Sequence, residues 1–264
     1  MKPSGGMGSS ASGIDAPGEP SARGSAPGEP ALARPRYPIV DEMTHRLWAW
    51  MLSHRCFYLF SAVVLLLVLL PLFENSDQGK LLFTTMNLVV LVTSVATFGR
   101  SRFTFWVALL LAVPAFALLV MSYLAGSSDY LAWSWRFSVG VFVVTIAHLV
   151  RYLLRAGGPE GATVDRLYGG AAAYLLLGLL WAHLYALREH YAPGSFAGLD
   201  PNAELHVADL VFLSFSSLTT AGGAGLVPQG KAARMLVLLE PVAGTLYIGA
   251  FVARLVGMYG GSRR

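Results

Sequence analysis

Six apolar stretches, near 56–73, 81–98, 103–124, 131–154, 166–187 and 232–258, dictate most of what this chain can fold into. A helix crosses the hydrocarbon core of a bilayer, about 30 Å thick, in roughly 17–25 residues, and each stretch has that reach. Hydrocarbon offers no water to pair with amides and carbonyls, so each stretch must satisfy them along its own helix. Composition agrees: 55% of residues are hydrophobic and 13% are charged, against about 25% charged in soluble domains. The expected fold class is therefore an all-α membrane protein surrounded by a lipid bilayer. The single cysteine, Cys56, has no partner for an intrachain disulfide, so packing must hold the helices together.

Residues 1–38 are rich in Gly, Pro and Ser and repeat APGEP at 16–20 and 26–30. They hold too little apolar surface to offset the entropy of ordering, and a disordered cytoplasmic tail is expected. Residues 39–55 mix Trp48 and Trp50 with Arg46, His54 and Arg55, which suits a helix lying at headgroup level. The placement of arginines orients the spans. Arg34, Arg36, Arg46 and Arg55 precede the first span, and Arg100 and Arg102 separate the second from the third. Arg151 and Arg155 separate the fourth from the fifth, and Arg263 and Arg264 follow the sixth. These are alternate loops, so they and both termini are expected in the cytoplasm, with Glu74, Asp129, Glu189 and Asp209 outside. The net charge of +4 is small, and no nucleic-acid partner is expected.

Between the fifth and sixth stretches the apolar part, 207–215, is too short to cross as a helix, and TTAGGAGLVP follows at 219–228. Non-helical backbone at membrane depth is tolerated only against protein or along an aqueous path. A re-entrant half helix with a return loop that faces a cavity or pore is the expected arrangement.

The order of span, outer loop, half helix, Thr-Thr, Gly-rich strand, proline and span resembles the pore of tetrameric potassium channels, specifically bacterial six-helix ion-channel proteins. The resemblance covers about 166–259. The family pattern TTVGYGD falls on Thr219, Thr220, Ala221, Gly222, Gly223, Ala224 and Gly225. Pro228, Arg234 and Gly244 fall on the proline after the filter, a basic residue heading the inner helix and the glycine where that helix bends. The resemblance implies six transmembrane helices plus a re-entrant pore helix and filter loop, assembled as a homotetramer in a bacterial inner membrane. It places an outer helix over 166–191, the pore helix over 206–219, the filter over 219–225 and the inner helix over 232–259. No cofactor is implied. The permeant species would be the potassium ion, held by the Thr220 hydroxyl and the carbonyls of Thr220, Ala221, Gly222 and Gly223.

Several positions depart from that pattern. Gly223 replaces the tyrosine that packs outward to hold the filter's diameter, and Phe212 and Leu213 stand for the aromatic pair it leans on. Ala224 occupies a site where glycine takes φ > 0, at a cost of roughly 1–2 kcal/mol per subunit. Gly225 replaces the closing carboxylate, and Ser216 sits where the half helix would carry a supporting one. Unbraced glycine-rich backbone has more freedom to lose, so relaxed selectivity among monovalent cations is expected. A non-conducting or regulatory channel-like subunit is the alternative. A secondary transporter is the second alternative, although transporters usually pair their broken helices in two repeated halves and this sequence has one.

At 100° per residue Thr245, Ile248, Val252 and Val256 share a stripe of the inner helix and are the pore-lining candidates. Pro241 and Gly244 are the bending candidates. Glu240, an acid inside a span, joins Ser216 as candidate filter support, with hydrogen bonds expected to half-helix hydroxyls such as Ser214 or Ser217. Arg254, on the far side from the stripe, is expected to snorkel to headgroups, and Arg136 to pair with Asp129 or headgroups. The four-helix region 56–155 lacks the regularly spaced cations of a voltage sensor. His148 and His183 could meet across the fourth and fifth spans, but nothing nearby completes a metal site. The sequence holds no nucleophile motif, phosphate-binding loop or paired carboxylates, so no enzymatic activity is expected.

Overall fold

The computed structural model describes residues 55–70, 77–97, 102–154, 164–198, 205–222 and 225–260. The expected tail at 1–38 and all but Arg55 of the expected headgroup-level helix at 39–55 lie outside the described residues, as do Gly223 and Ala224. The described chain folds as α1 (Arg55–Leu69), α2 (Asp77–Ala96), α3 (Arg102–Ala125), α4 (Ser128–Leu154) and α5 (Val164–Tyr191), followed by β1 (Phe196–Gly198), α6 (Val207–Leu218), β2 (Leu226–Pro228) and α7 (Gly230–Gly260). Among the described residues four helices are long and apolar enough to cross a membrane: α3 over Phe103–Ala125, α4, α5 and α7 over Gly230–Gly257. Apolar α1 and the Thr85–Ala96 part of α2 are shorter. These are the properties of a mostly helical, membrane-embedded protein.

Helix α5 is the hub, packing against α1, α4, α6 and α7. Its sequence explains why: Gly169, Gly170, Ala172, Ala173, Gly178 and Ala182 are all buried in it. Small residues let helix backbones approach closely, which is how helices associate where lipid removes the hydrophobic drive between them. A Cβ on Gly178 would sit 2.7 Å from the Phe215 ring of α6, and one on Gly170 would sit 2.0 Å from the Phe251 ring of α7. Around this seam Leu59, Val63 and Leu66 of α1, Phe142 and Leu149 of α4, and Val211 of α6 join Leu176 and Leu179 in one buried cluster.

Several polar side chains within the bundle are paired. Ser134 of α4 donates to the Ala115 carbonyl of α3 at 2.8 Å. His183 gives its Nδ1 hydrogen to the Leu179 carbonyl at 2.8 Å, which leaves Nε2 to accept from the Asn87 amide at 3.2 Å. Its hydrogen-bond partner across the bundle is Asn87. The carboxylate of Asp165 caps α1 from another helix by accepting from the Cys56 amide at 3.2 Å.

Two arginines find partners within the protein. Arg136 lies over the rings of Trp133 and Tyr191, 4.1 and 4.7 Å from their centroids, while Asp129 pairs with His190 at 3.5 Å. Aromatic faces suit a guanidinium at an interface, so Arg136 needs no carboxylate. Arg254 of α7 donates to the Leu153 and Leu154 carbonyls at 3.2 and 2.9 Å. The last carbonyls of α4 lack intrahelical partners and carry the negative end of its dipole, which attracts the guanidinium.

Replacing Gly178 with Val should lower the melting temperature in detergent, by an amount equivalent to about 1–3 kcal/mol of overpacking. Thermal unfolding followed by circular dichroism checks this; an unchanged midpoint would mean α5 and α6 are not in close contact.

Candidate functional site

The site is built on α6, twelve residues long, or about 18 Å of helix. It starts where the His206 amide donates to Asp209 Oδ2 at 2.8 Å, placing an acid in the first turn, where the helix dipole favours it. Leu210, Val211, Leu213, Ser214 and Ser216 are buried between the neighbouring helices, while Phe212 is exposed.

The chain then needs donors for the carbonyls at the end of α6, and each has one. Phe215 O accepts from the amide and hydroxyl of Thr219 at 3.1 and 2.6 Å. Ser216 O accepts from the Gly222 amide at 3.2 Å, and Ser217 O from the Thr220 amide at 3.0 Å. Leu218 O accepts from the Tyr174 hydroxyl of α5 at 3.2 Å, and Thr219 O from the Thr220 hydroxyl at 2.7 Å.

This closure bends the backbone sharply. Thr220 has φ 58, alone among the described non-glycine residues in being positive, and Gly222 and Gly225 follow at φ 68 and 69. A left-handed residue just after a helix is a common way to end one, but glycine usually fills it; a β-branched residue there is strained. Thr219, Thr220, Ala221, Gly222 and Gly225 are exposed at the end of α6, with Gly223 and Ala224 outside the described residues. Ser216 meets the loop through its carbonyl, because its hydroxyl donates to Leu213 O at 2.9 Å.

Behind α6, Glu240 of α7 is fully buried. Tyr185 of α5 donates to its Oε2, and its Oε1 lies 2.5 Å from Ser214 Oγ, which is also 2.7 Å from the Gly178 carbonyl. Of the two half-helix hydroxyls expected, Ser214 is thus the one that bonds Glu240. Three contacts among oxygens need three hydrogens, and Tyr185 and Ser214 bring two. All three are satisfied together when the carboxyl carries the third and gives it to Ser214, which donates onward to Gly178 O. The group ties α5, α6 and α7 in one polar cluster.

Farther along α7, Gly244 faces the end of α6: a Cβ there would lie 2.8 Å from Leu218 O. It therefore permits close approach at the point where the sequence suggests bending. Pro241 lies inside an unbroken helix, and the Thr245 hydroxyl donates to its carbonyl at 2.7 Å. Thr245, Ile248, Val252 and Val256 are all exposed, on the flank beside the packed face of Glu240, Gly244 and Tyr247. Tyr174, Tyr247 and Phe251 stack in series, and Tyr247 donates to the Gly170 carbonyl at 2.7 Å.

Beyond α5 the chain turns at Gly194 (φ 79) into β1, which pairs antiparallel with β2, matching Phe196 with Pro228 and Gly198 with Leu226. Sequence reasoning missed this ladder, and with it Glu189, Tyr174 and Tyr185. Strands of three residues show no alternation, while Tyr185 sits one α-helical face away from the outer loop in a run of apolar residues. A signal for Glu189 was present: an acid at the end of a helix, five residues before a turn glycine.

The chain matches no family model, no curated protein and no solved structure. Among the described residues no three His, Cys, Asp or Glu side chains gather as a metal site.

Because Gln, like a carboxylic acid, sets one donor group beside one acceptor oxygen, Glu240→Gln should stay close to the wild-type melting temperature. Glu240→Ala, which strands the buried Tyr185 hydroxyl and leaves a cavity, should lose about 2–4 kcal/mol. Equal losses for both would show that the cluster works with an ionised carboxylate.

Proposed function

We propose that four copies of this chain form a membrane channel that passes monovalent cations passively, potassium among them, with relaxed selectivity. The observation that carries this reading is α6: a half-length helix held between α5 and α7, ended by a strained threonine and glycine loop that returns through β2 to α7. On this reading the six spans of the resemblance, both termini in the cytoplasm, and the filter at Thr219 to Gly225 follow together. Helix α7 supports it: Thr245, Ile248, Val252 and Val256 are exposed in one chain and would face the four-fold axis. Their apolar surface suits a constriction that gates by dewetting.

A second reading, a non-conducting subunit that assembles with a competent channel, draws on the fold-back of the loop. Carbonyls that would ligand an ion need an extended loop, whereas here the Gly222 amide returns to Ser216 and the Thr220 hydroxyl to Thr219.

Reconstitution into liposomes with a potassium gradient separates the two. Potassium flux with unitary current steps is expected; silence from verified tetramers at every potential and pH would leave the silent subunit. Replacing Gly223 with Tyr, Ala224 with Gly and Gly225 with Asp together should raise the potassium-to-sodium permeability ratio. An unchanged ratio would mean that these positions do not form the filter.

A further inference from the structure

We propose that Glu189 is a positioning residue that sets the outer end of the candidate filter, replacing through a backbone ladder the tyrosine and carboxylate that the sequence lacks. The proposal rests on the channel reading above.

Glu189 lies in the last turn of α5, the most enclosed of the membrane-length helices. Its two carboxylate oxygens accept separate amides of the loop that follows: Gly194 at 2.6 Å and Phe196 at 3.0 Å. Acceptance by a charged group makes these the stronger class of hydrogen bond, and two from one planar group fix orientation as well as distance. The bracketed loop cannot drift relative to α5.

What the bracket holds is β1, and β1 holds β2. The Gln229 amide donates to Ser195 O at 2.7 Å, and the register continues through Ala197–Val227 to Gly198–Leu226. In an antiparallel pair, hydrogen-bonded and non-hydrogen-bonded couples alternate. With Ser195 and Gln229 bonded, Phe196 and Pro228 form a non-bonded couple, so Pro228 sits where its missing N–H costs nothing. Leu226 follows directly on Gly225, the last position of the candidate filter.

The inner side of the ladder is anchored too. Phe196 is buried and its ring centre lies 5.2 Å from that of Tyr185, which donates to Glu240. A filter braced by tyrosine and aspartate is held by side chains radiating from the filter itself. Here those side chains are absent, and the same end of the loop is fixed by α5 through Glu189, β1 and β2. Glutamate is required because both oxygens accept; a glutamine would turn an NH₂ toward one of the two amides.

The test uses the full chain in liposomes, with potassium and sodium as the ions. Glu189→Gln should move the potassium-to-sodium permeability ratio by about twofold or more. It should also speed amide exchange at Val227 and Gln229, the ladder's bonded positions, about tenfold, the loss expected for one charge-assisted hydrogen bond. Gly194→Ala keeps the carboxylate but strains the bracketed turn, and should shift both readouts the same way should the glutamine variant fail to fold. Adding Gly198→Cys and Leu226→Cys to Glu189→Gln, then oxidising, should restore the wild-type ratio, and reduction should remove it again. A merely structural role would change melting temperature without moving the reversal potential. Faster exchange with an unchanged ratio, or a cross-link that restores nothing, would overturn the proposal. Wild-type chains that pass no ions would overturn the channel reading instead, and amide exchange would still decide whether Glu189 holds the ladder.

Discussion

A helix that stops inside an apolar protein leaves carbonyls which neither lipid nor water can satisfy, and the arrangement around α6 is organised by that need. Ser216 and Ser217 draw the following loop back over the helix end, through the amides of Gly222 and Thr220. Leu218 draws Tyr174 from α5. Gly244 lets α7 approach the same carbonyl without a side chain between them. The strain at Thr220 follows from this closure: φ 58 is what the turn requires, and the sequence supplies threonine where glycine would be easier. Positions this strained persist only where their surroundings determine them, and they concentrate at functional sites.

Helix α5 serves both ends of α6. Near the middle, Gly178 admits the Phe215 ring and offers its carbonyl to Ser214, so one position supplies close packing and a hydrogen bond. Toward its C-terminus, Tyr185 reaches Glu240 and Glu189 holds the loop that becomes β1. Both attachments start from the same rigid helix. Displacement of α5 would therefore carry α6, the start of β2 and the polar face of α7 with it, which is a physical route by which α1 and α4, packed on α5, could bias the loop.

Much of this was legible in sequence because it rests on length and periodicity. The apolar stretches and the shortfall of 207–215 follow from the distance across hydrocarbon, and α6 occupies Val207–Leu218. The contact of Ser214 with Glu240 was also legible, since an acid inside a span must find hydroxyls or amides. The rest was illegible for definite reasons. The partners of Arg136 and Arg254 depend on which rings and helix ends lie near them, and those are set by packing among residues distant in sequence. The ladder of β1 and β2 joins FAG to LVP, three-residue pieces whose pairing comes from Glu189 and the core around Phe196 rather than from strand propensity.

Helix α7 carries the last step. Its packed face runs through Ala233, Glu240, Gly244 and Tyr247, and around the rest Leu238, Val242, Leu246, Ile248, Val252 and Val256 are exposed in the single chain. That exposed surface is wider than the four-residue stripe assigned to an axis, so lipid or neighbouring copies must cover what lies beside it. On the channel reading the division is physical: Ile248, Val252 and Val256 meet water when the pore is wet, whereas Val242 and Leu246 meet protein or lipid always. Thr245 does not disturb the apolar character of the stripe, because its hydroxyl is turned to the Pro241 carbonyl. A stripe without free polar groups makes water the marginal occupant of the axis, and small changes in its width would then decide between wet and dry.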